Sequence, residues 1–306
     1  MPAAHDHAKG LTVTGRYRGR LTAVMAISAG IAAAEIVGAL ISGSLVLLAD
    51  AAHMAADAAG VGLSVLAAYV AARPATGRRT FGYARAEILA ATVNALLLLG
   101  LAAFIITEAV QRLTAPPPVG SGLMIVFGVV ALAGNGVSLL LLRRGQAQSL
   151  NVRGAFLEVA SDTFCALAVI VSGVVIAATG FTLMDPIASL AVALLILPRT
   201  WHLLRDAVDV LLEASPRGID LTEVRAHMTA LEGVKDVHDL HAWTITSGLP
   251  VLSAHVVVDP AMLTGNQSAA MLDALQFCLR GHFDVVHSTF QLEPAGHADH
   301  EPSVCL

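Results

Sequence analysis

Six long stretches of the chain consist almost entirely of apolar residues and are separated by short polar connectors. Each stretch is long enough to cross a bilayer, which takes about 20 residues in a helix. The pattern predicts a six-span transmembrane domain over residues 20–212, preceded by an N-terminal tail at 1–19. The predicted spans lie at 20–41, 46–72, 86–110, 119–142, 153–179 and 186–212.

The pattern changes after the sixth stretch. Residues 220–231 have the spacing of a short amphipathic helix, and "VHDLHAWTI" and "PVLSAHVVVD" alternate between polar and apolar positions as strands do. Residues 266–281 return to helical spacing, and "VVHSTFQLE" has the alternation of a third strand. The order αββαβ predicts a small α+β domain at 213–293, followed by a flexible C-terminal tail at 294–306.

Composition supports a membrane protein. Hydrophobic residues make up 56% of the 306 residues and charged residues 13%, with a mean hydropathy of +0.72. Soluble domains carry about 25% charged residues, so a soluble globular protein is excluded. The three cysteines form no CxxC pair, which is typical of a reducing compartment and argues against a disulfide framework.

The basic residues are distributed unevenly among the connectors. They concentrate in the N-terminal tail, in the connectors after the second and fourth spans, and near the end of the sixth span, whereas the odd-numbered connectors offer only Arg112. Cytoplasmic loops carry the excess of lysine and arginine, so both termini are predicted to be cytoplasmic. The residues concerned are Lys9, Arg16, Arg18, Arg20, Arg73, Arg78, Arg79, Arg85, Arg143, Arg144, Arg153, Arg199 and Arg205.

Two predicted spans carry ionisable residues four positions apart: His53 and Asp57 on the second, and Glu158 and Asp162 on the fifth. An ionisable group at the centre of a bilayer costs about 2.5–3.5 kcal/mol on insertion scales, so such groups face the interior of a bundle. Helical spacing places both members of each pair on one face, which is how helix bundles build metal sites. Imidazole and carboxylate ligands suit tetrahedral Zn²⁺. Protons compete for the same groups, which is the physical basis of metal/proton exchange.

The competing interpretation is that these polar groups only hydrogen-bond between helices. Two pairs at helical spacing favour the metal site over this interpretation. Asn94 and Asn135 are lone amides, and we predict interhelical hydrogen bonds for them rather than metal ligation. The roles of Glu35 and Glu87 stay open; Glu87 is near enough to the membrane edge to be solvated or paired with Arg85.

Six segments together resemble the cation diffusion facilitator family, in particular its bacterial cobalt-zinc-cadmium resistance branch. They are "GSLVLLADAAHMAADAAG", "RRTFGYARAEILAATVNA", "NVRGAFLEVASD", "DPIASLAVALLIL", "VHDLHAWTI" and "HSTFQLEP". The resemblance implies a homodimeric metal/proton antiporter of the bacterial inner membrane, with six transmembrane helices and a cytoplasmic domain of metallochaperone-like shape. It also implies that His53, Asp57, Glu158 and Asp162 form the transport site.

Glu158 departs from the family pattern, because many zinc-selective members have histidine at this position. An additional carboxylate makes the site harder and more tolerant of Mn²⁺, Fe²⁺ or Co²⁺. The connector "RPATGRRTFGYAR" lacks the histidines and acids with which some members bind metal there, so no metal site is expected in it.

The resemblance also implies a second metal site in the cytoplasmic domain, because His238 and His255 match positions that related members use. Gln291 and Glu293 depart from the pattern, since they stand where those members have histidine and aspartate. Strand alternation places the candidates on polar faces, and His241 would lie opposite His238 in a regular strand. The alternative is that these are surface side chains on a half-buried sheet. The candidates are His238, His255, His287, Gln291 and Glu293.

The predicted function is therefore a secondary active transporter that exports divalent metal from the cytoplasm in exchange for protons. Zn²⁺ is the expected substrate, with Co²⁺, Cd²⁺, Mn²⁺ and Fe²⁺ as alternatives. A membrane-anchored metal sensor and an intramembrane metallohydrolase are the alternatives from other classes, although the chain has no HExxH motif. The expected partners are a second copy of the chain, metal ions, protons and membrane lipid, with no nucleic acid. We expect no enzyme activity and no cofactor beyond the transported metal and Zn²⁺ bound structurally in the cytoplasmic domain.

Overall fold

The computed structural model describes residues 13–143, 150–285 and 287–297. The remainder of the predicted tails, at 1–12 and 298–306, lies outside the described residues. The α-helices are α1 (Val13–Ser42), α2 (Leu45–Ala71), α3 (Ala86–Thr114), α4 (Ser121–Leu142), α5 (Leu150–Thr179), α6 (Met184–Leu211), α7 (Leu221–Thr229) and α8 (Asn266–Phe283). The strands are β1 (Val234–Thr244), β2 (Pro250–Val258) and β3 (His287–Glu293), with a 3-10 turn at Pro260–Leu263.

Helices α1 to α6 are each long and apolar enough to cross a bilayer. Their apolar segments coincide with the six predicted spans, and the order of elements after them is the predicted αββαβ. The protein is thus a multi-pass α-helical membrane protein with a small C-terminal α+β domain, and the predicted fold class is confirmed.

The chain divides into two compact units, one comprising residues 1–63 and 93–202, the other 64–92 and 203–306. In the first unit, α4 packs against both α1 and α5. Gly128 makes one close approach possible, because a Cβ atom there would lie 2.8 Å from Ile170. Small residues at such contacts let membrane helices pack closely where burial from water contributes no driving force.

Asp185, at the start of α6, caps α2, the helix that carries His53 and Asp57. Its carboxylate accepts hydrogen bonds from the backbone N–H groups of Leu45 at 2.8 Å and Val46 at 3.3 Å. Ser44 Oγ donates to the same carboxylate at 2.6 Å. Asp185 is fully buried. A buried anion at a helix N-terminus satisfies amides that have no partner within the helix, so this contact fixes where α2 begins.

The C-terminal domain, in the second unit, is built on a three-stranded sheet in the order β1-β2-β3. Strands β1 and β2 are antiparallel, and β2 and β3 are parallel. Alternate residues of the sheet, such as Leu252 and Val256, are buried in a core with Met228 of α7 and Leu275 of α8. The opposite face carries the polar residues, as the alternation predicts.

A β-bulge changes the pattern in β1. The register with β2 pairs His238 with His255 and then His241 with Ser253, so one strand has an extra residue between these pairs. Asp239, within the bulge, has a φ of +46°, in the left-handed region that aspartate tolerates better than most residues. His238 and His241 therefore lie on the same face, and the prediction that they lie on opposite faces is wrong.

Candidate metal centres in the membrane bundle and the C-terminal domain

The first pair of candidate ligands lies one turn apart on α2. His53 Nε2 is 3.5 Å from Asp57 Oδ2. The side chain of His53 is 7% exposed and that of Asp57 is 28% exposed. His53 therefore lies in the interior of the bundle, and Asp57, one turn further along α2, is partly accessible.

The second pair, on α5, faces the first. Asp162 is buried, and Glu158 is partly exposed. The carboxyl group of Glu158 interacts across the helix interface with Asp57 and electrostatically with His53. The structure thus brings the four predicted residues to one region of the first unit.

Arg199 of α6 enters this region as well. Its Nη2 donates to Glu158 Oε2 at 2.9 Å. By sequence, Arg199 is one of several basic residues near the ends of the predicted spans. The signal for a closer role was its position inside an apolar helix next to Pro198, because a charge there needs a partner.

The four membrane residues do not form a closed coordination cage. Within the described ranges, one group of at least three histidine, cysteine or acidic residues has its ligand atoms all within 4.8 Å of one another, and that group is in the C-terminal domain. Glu158 is instead engaged by Arg199. A metal ion would have to draw Glu158 away from the arginine before all four side chains could bind it.

Two further carboxylates extend the polar interior of the bundle. Asp50 precedes His53 by one turn, and Glu35 of α1 interacts with Asp50. Both side chains are almost completely buried, and neither forms an ion pair with a residue in the described part of the chain. Glu35, whose role the sequence left open, therefore belongs to the interior of the bundle.

Glu87 and Arg85 have other partners than each other. Thr246 Oγ1 donates to Glu87 Oε2 at 2.5 Å, and Arg85 Nη2 is 2.7 Å from Glu213 Oε1. The suggested pairing of Glu87 with Arg85 is therefore wrong, because each finds a partner that is distant in sequence.

The two asparagines differ in their surroundings. Asn94 lies against Gly60 of α2, where a Cβ atom would lie 2.6 Å from Asn94 Nδ2. Asn135 is buried, yet neither its Oδ1 nor its Nδ2 has a hydrogen-bond partner among the residues that the structure describes. The prediction that Asn135 links helices by a hydrogen bond is wrong.

In the C-terminal domain, His238, His255 and Glu293 assemble a compact cluster. His238 Nε2 is 2.5 Å from Glu293 Oε1, and His255 Nδ1 is 3.9 Å from Glu293 Oε2. The two imidazole rings lie 5.3 Å apart, and Glu293 is only 2% exposed. Cross-strand pairing creates the cluster. His238 of β1 is paired with His255 of β2. Glu293 of β3 is paired with Val257, which is the next residue of β2 after His255 on the same face.

Two residues near the cluster were not among the predicted ligands. Asp239 Oδ2 is 3.7 Å from His255 Nε2, and His297 Nε2 is 3.9 Å from Glu293 Oε2. The hydrogen bond with His241 lowers the pKa of the Asp239 carboxyl below its ordinary value. Asp239 therefore stays anionic beside His255, as a carboxylate that orients a histidine ligand does.

The remaining predicted residues lie at the edge of the cluster or outside it. Gln291 Nε2 donates to Glu293 Oε2 at 3.3 Å, so Gln291 supports a carboxylate of the cluster. His287 begins β3, six residues before Glu293, and its ring lies 5.6 Å from that of Phe81. The structure therefore does not bring His287 to the cluster.

The six membrane-spanning helices and the polar groups between them define an integral membrane protein with candidate sites for metal cations. The chain matches two family models: the cation efflux transmembrane domain over residues 21–212 and the cytoplasmic domain of cation efflux proteins over residues 216–295. The protein belongs to the cation diffusion facilitator family, in its cobalt-zinc-cadmium branch. It is a metal cation efflux transporter rather than an enzyme, which decides against the sensor and the metallohydrolase.

Relatives match almost the whole chain. The metal cation efflux system protein CzcD of Cupriavidus metallidurans is 42% identical over 97% of this chain and 92% of its own length. The zinc transporter ZitB of Escherichia coli is 37% identical over 96% of this chain and 93% of its own. The cadmium, cobalt and zinc/H(+)-K(+) antiporter of Bacillus subtilis is 35% identical over 89% and 87%, respectively.

A solved structure, the metal-bound C-terminal domain of the CzcD transporter of Cupriavidus metallidurans, is 43% identical to the part of this chain that it matches. It covers 24% of this chain and 99% of its own, with a TM-score of 0.23.

Proposed function

We propose that this protein exports Zn²⁺ from the bacterial cytoplasm in exchange for protons, and that His53, Asp57, Glu158 and Asp162 bind the ion in transit. The observation that carries the proposal is the meeting of two one-turn pairs at one interface inside the bundle. Relatives described as a zinc transporter and as a cadmium, cobalt and zinc/H(+)-K(+) antiporter support both the metal and the exchange.

Exchange follows from the chemistry of the four ligands. A metal ion binds deprotonated carboxylates and neutral imidazole, so each proton that binds these groups weakens metal binding. A site that loads metal on one side of the membrane and protons on the other moves the two in opposite directions. The single imidazole and three carboxylates give this protein a predominantly anionic site.

Arg199 adds a third competitor for the same carboxylates. While the site lacks metal, its guanidinium partly neutralises Glu158 at 2.9 Å. Metal binding replaces this positive charge with a divalent one, and release restores the arginine contact. Arg199 thereby lowers the cost of leaving a carboxylate without metal inside the bundle, and it weakens metal binding enough to permit release.

We also propose that the C-terminal domain binds Zn²⁺ through His238, His255 and Glu293. Zn²⁺ in structural sites is four-coordinate, and His297 is placed to supply the fourth ligand next to Glu293. Asp239 would orient His255 from the opposite ring nitrogen. The match of residues 216–295 to the cytoplasmic domain of cation efflux proteins, whose model is named for dimerisation, supports a homodimer.

The proposed location is the bacterial inner membrane, with both termini in the cytoplasm. The support is the concentration of basic residues in the N-terminal tail and in the even-numbered connectors. In that orientation the C-terminal cluster meets the metal pool from which the transporter draws.

Transport in proteoliposomes tests the proposal. Vesicles loaded with a zinc-sensitive dye and a pH-sensitive dye are given external Zn²⁺ under an imposed pH gradient. Wild-type protein should show Zn²⁺ uptake coupled to proton counterflow, and Asp162→Ala should show neither. Asp273→Ala, which removes an exposed aspartate of α8, is the matched control and should transport normally. Normal uptake by Asp162→Ala would refute the site, and Zn²⁺ uptake without proton movement would refute the exchange.

A further inference from the structure

The connector between α2 and α3 borders a cavity of about 600 Å³ that the transport mechanism does not use. Its walls are residues 78–86 together with Leu89, Glu213, Trp243 and Ile245. All of them belong to the second compact unit. The same connector lacks the histidines and acids of a metal site.

The lining of the cavity is cationic. It contains three arginines, Arg78, Arg79 and Arg85, against one acid, Glu213, a net charge of +2. Arg85 is paired with Glu213 at 2.7 Å. Arg78 and Arg79 form no ion pair with any residue that the structure describes, and the Arg79 guanidinium lies 4.3 Å above the ring of Tyr83. Two arginines are thus available to a ligand, one of them held in place by an aromatic ring.

The backbone of the connector is folded rather than extended. Thr76 and Arg79 exchange two backbone hydrogen bonds of 3.0 and 2.9 Å, and Gly82 N–H donates to the Arg79 carbonyl at 2.9 Å. Gly82 has a φ of +63°, and a Cβ atom there would lie 3.3 Å from the Arg73 carbonyl oxygen. The turn therefore fixes the backbone at Arg78 and Arg79 before any ligand arrives, which reduces the entropy lost on binding.

The cavity also has an apolar and aromatic side. Phe81 and Leu89 are 46% and 55% exposed. Leu89 lies in the first turn of a membrane-spanning helix, so this side is continuous with a surface that contacts lipid. Tyr83 and Trp243 are of the residue types that favour the headgroup level of a bilayer. A free inorganic anion would use the arginines but not these walls.

We propose that this cavity binds the phosphodiester headgroup of an anionic phospholipid, with Arg78 and Arg79 on the phosphate and Phe81 and Leu89 against the first part of the acyl chains. Guanidinium groups bind phosphate oxygens through paired, charge-assisted hydrogen bonds. Basic residues next to membrane spans are the usual recognition elements for anionic headgroups. The cavity would tie the connector and the C-terminal domain to the lipid composition of the membrane.

Trp243 provides a direct reporter. The chain has two tryptophans, so Trp201→Phe leaves Trp243 as the one that emits. In detergent-purified protein, dihexanoyl phosphatidylglycerol should change the Trp243 emission saturably, whereas dihexanoyl phosphatidylcholine and inorganic phosphate should not. Replacing both Arg78 and Arg79 with Gln should weaken phosphatidylglycerol binding by on the order of tenfold or more.

The control is the charge-matched double variant Arg73→Gln/Arg143→Gln, which removes two basic residues that do not line the cavity. It should bind phosphatidylglycerol within about twofold of the parent, since screened charges outside the cavity contribute little. Equal losses in the two double variants would overturn the site, because they would show a general charge effect. A response to inorganic phosphate equal to that for phosphatidylglycerol would overturn the lipid assignment, and so would an equal response to phosphatidylcholine.

Discussion

The two candidate metal centres are built from similar ligands but are assembled differently. In the C-terminal domain, ligand atoms of His238, His255 and Glu293 already lie within 4.8 Å of one another. In the membrane bundle, the two pairs face each other, but Glu158 is held by Arg199 instead of closing around a common point. One centre is pre-assembled on a sheet, and the other is divided between helices.

The difference fits the roles that we propose for the two centres. A site that only retains a metal ion gains affinity from rigid, pre-assembled ligands. A transport site must bind the ion on one side of the membrane and release it on the other, so its ligands have to be separable. Helices can move relative to one another and carry the pairs with them, whereas the ligands of β1, β2 and β3 are fixed by hydrogen-bonded strand pairing.

The largest expected effect separates the two centres by function. Asp57→Ala should abolish Zn²⁺ transport in proteoliposomes, because it removes one of four ligands and one group that exchanges protons. Zn²⁺ binding by the C-terminal cluster, measured by calorimetry on the same variant, should be unchanged. Asp206→Ala, which removes an acid paired with Arg217, is the control and should transport at the wild-type rate. If the Asp57→Ala variant transported Zn²⁺, the proposal that the membrane centre is the transport site would be refuted.

The second prediction tests pre-assembly in the C-terminal domain. The fragment 213–297 contains a hydrophobic core of its own. Zn²⁺ at a hundredfold excess over its Kd should raise the free energy of unfolding of the fragment by about 2.7 kcal/mol, because the metal binds only the folded state. Chemical denaturation with and without Zn²⁺ measures this difference.

Two variants of the same fragment sharpen that result. Glu293→Gln should remove the Zn²⁺ effect, whereas His287→Ala should leave it intact, since His287 lies at the other end of β3. If unfolding were indifferent to millimolar Zn²⁺, the domain would serve dimerisation alone. Loss of the Zn²⁺ effect in His287→Ala would instead show that His287 is a ligand, as predicted from the sequence.

The third prediction concerns Arg199, which pairs with Glu158 in the membrane centre. Arg199→Gln should tighten Zn²⁺ binding to the transport site by roughly tenfold, because a competing cation is lost. Turnover should fall, because release of the ion is no longer assisted. Arg205→Gln, on the same helix, is the control. A simultaneous loss of binding and transport would show that Arg199 only supports the fold.

The smallest expected effect is one of selectivity. Glu158→His should retain Zn²⁺ transport while reducing Mn²⁺ and Co²⁺ transport relative to Zn²⁺ by a few-fold, since imidazole suits zinc and carboxylate oxygen suits manganese. The pH profile of transport should change as well, because the two side chains titrate differently in model peptides, near pH 6.5 and near 4.3. Metal competition across pH 5.5–8 measures both. Identical selectivity and pH profile would exclude Glu158 from the coordination shell.

Patterns among residues close together in the sequence were sufficient to predict much of the fold and of the candidate sites. The apolar stretches predicted the six helices, because a bilayer imposes length and hydrophobicity on each one separately. The pairs His53/Asp57 and Glu158/Asp162 could be recognised because helical spacing alone places their members on one face. Strand alternation likewise placed His255 and Glu293 on the polar face of the sheet. In each case, the property depends on residues a few positions apart.

Tertiary structure decided the features that depend on distant residues. Arg199 meets Glu158 across 41 positions, and Asp185 caps α2 across 140, distances over which no periodicity operates. The bulge at Asp239 moved His241 to the face of His238, because one inserted residue reverses the alternation of a strand. Strand length left His287 far from Glu293, although both are on the same face. Sequence periodicity specifies faces, whereas the partners across those faces are set by helix packing and strand register.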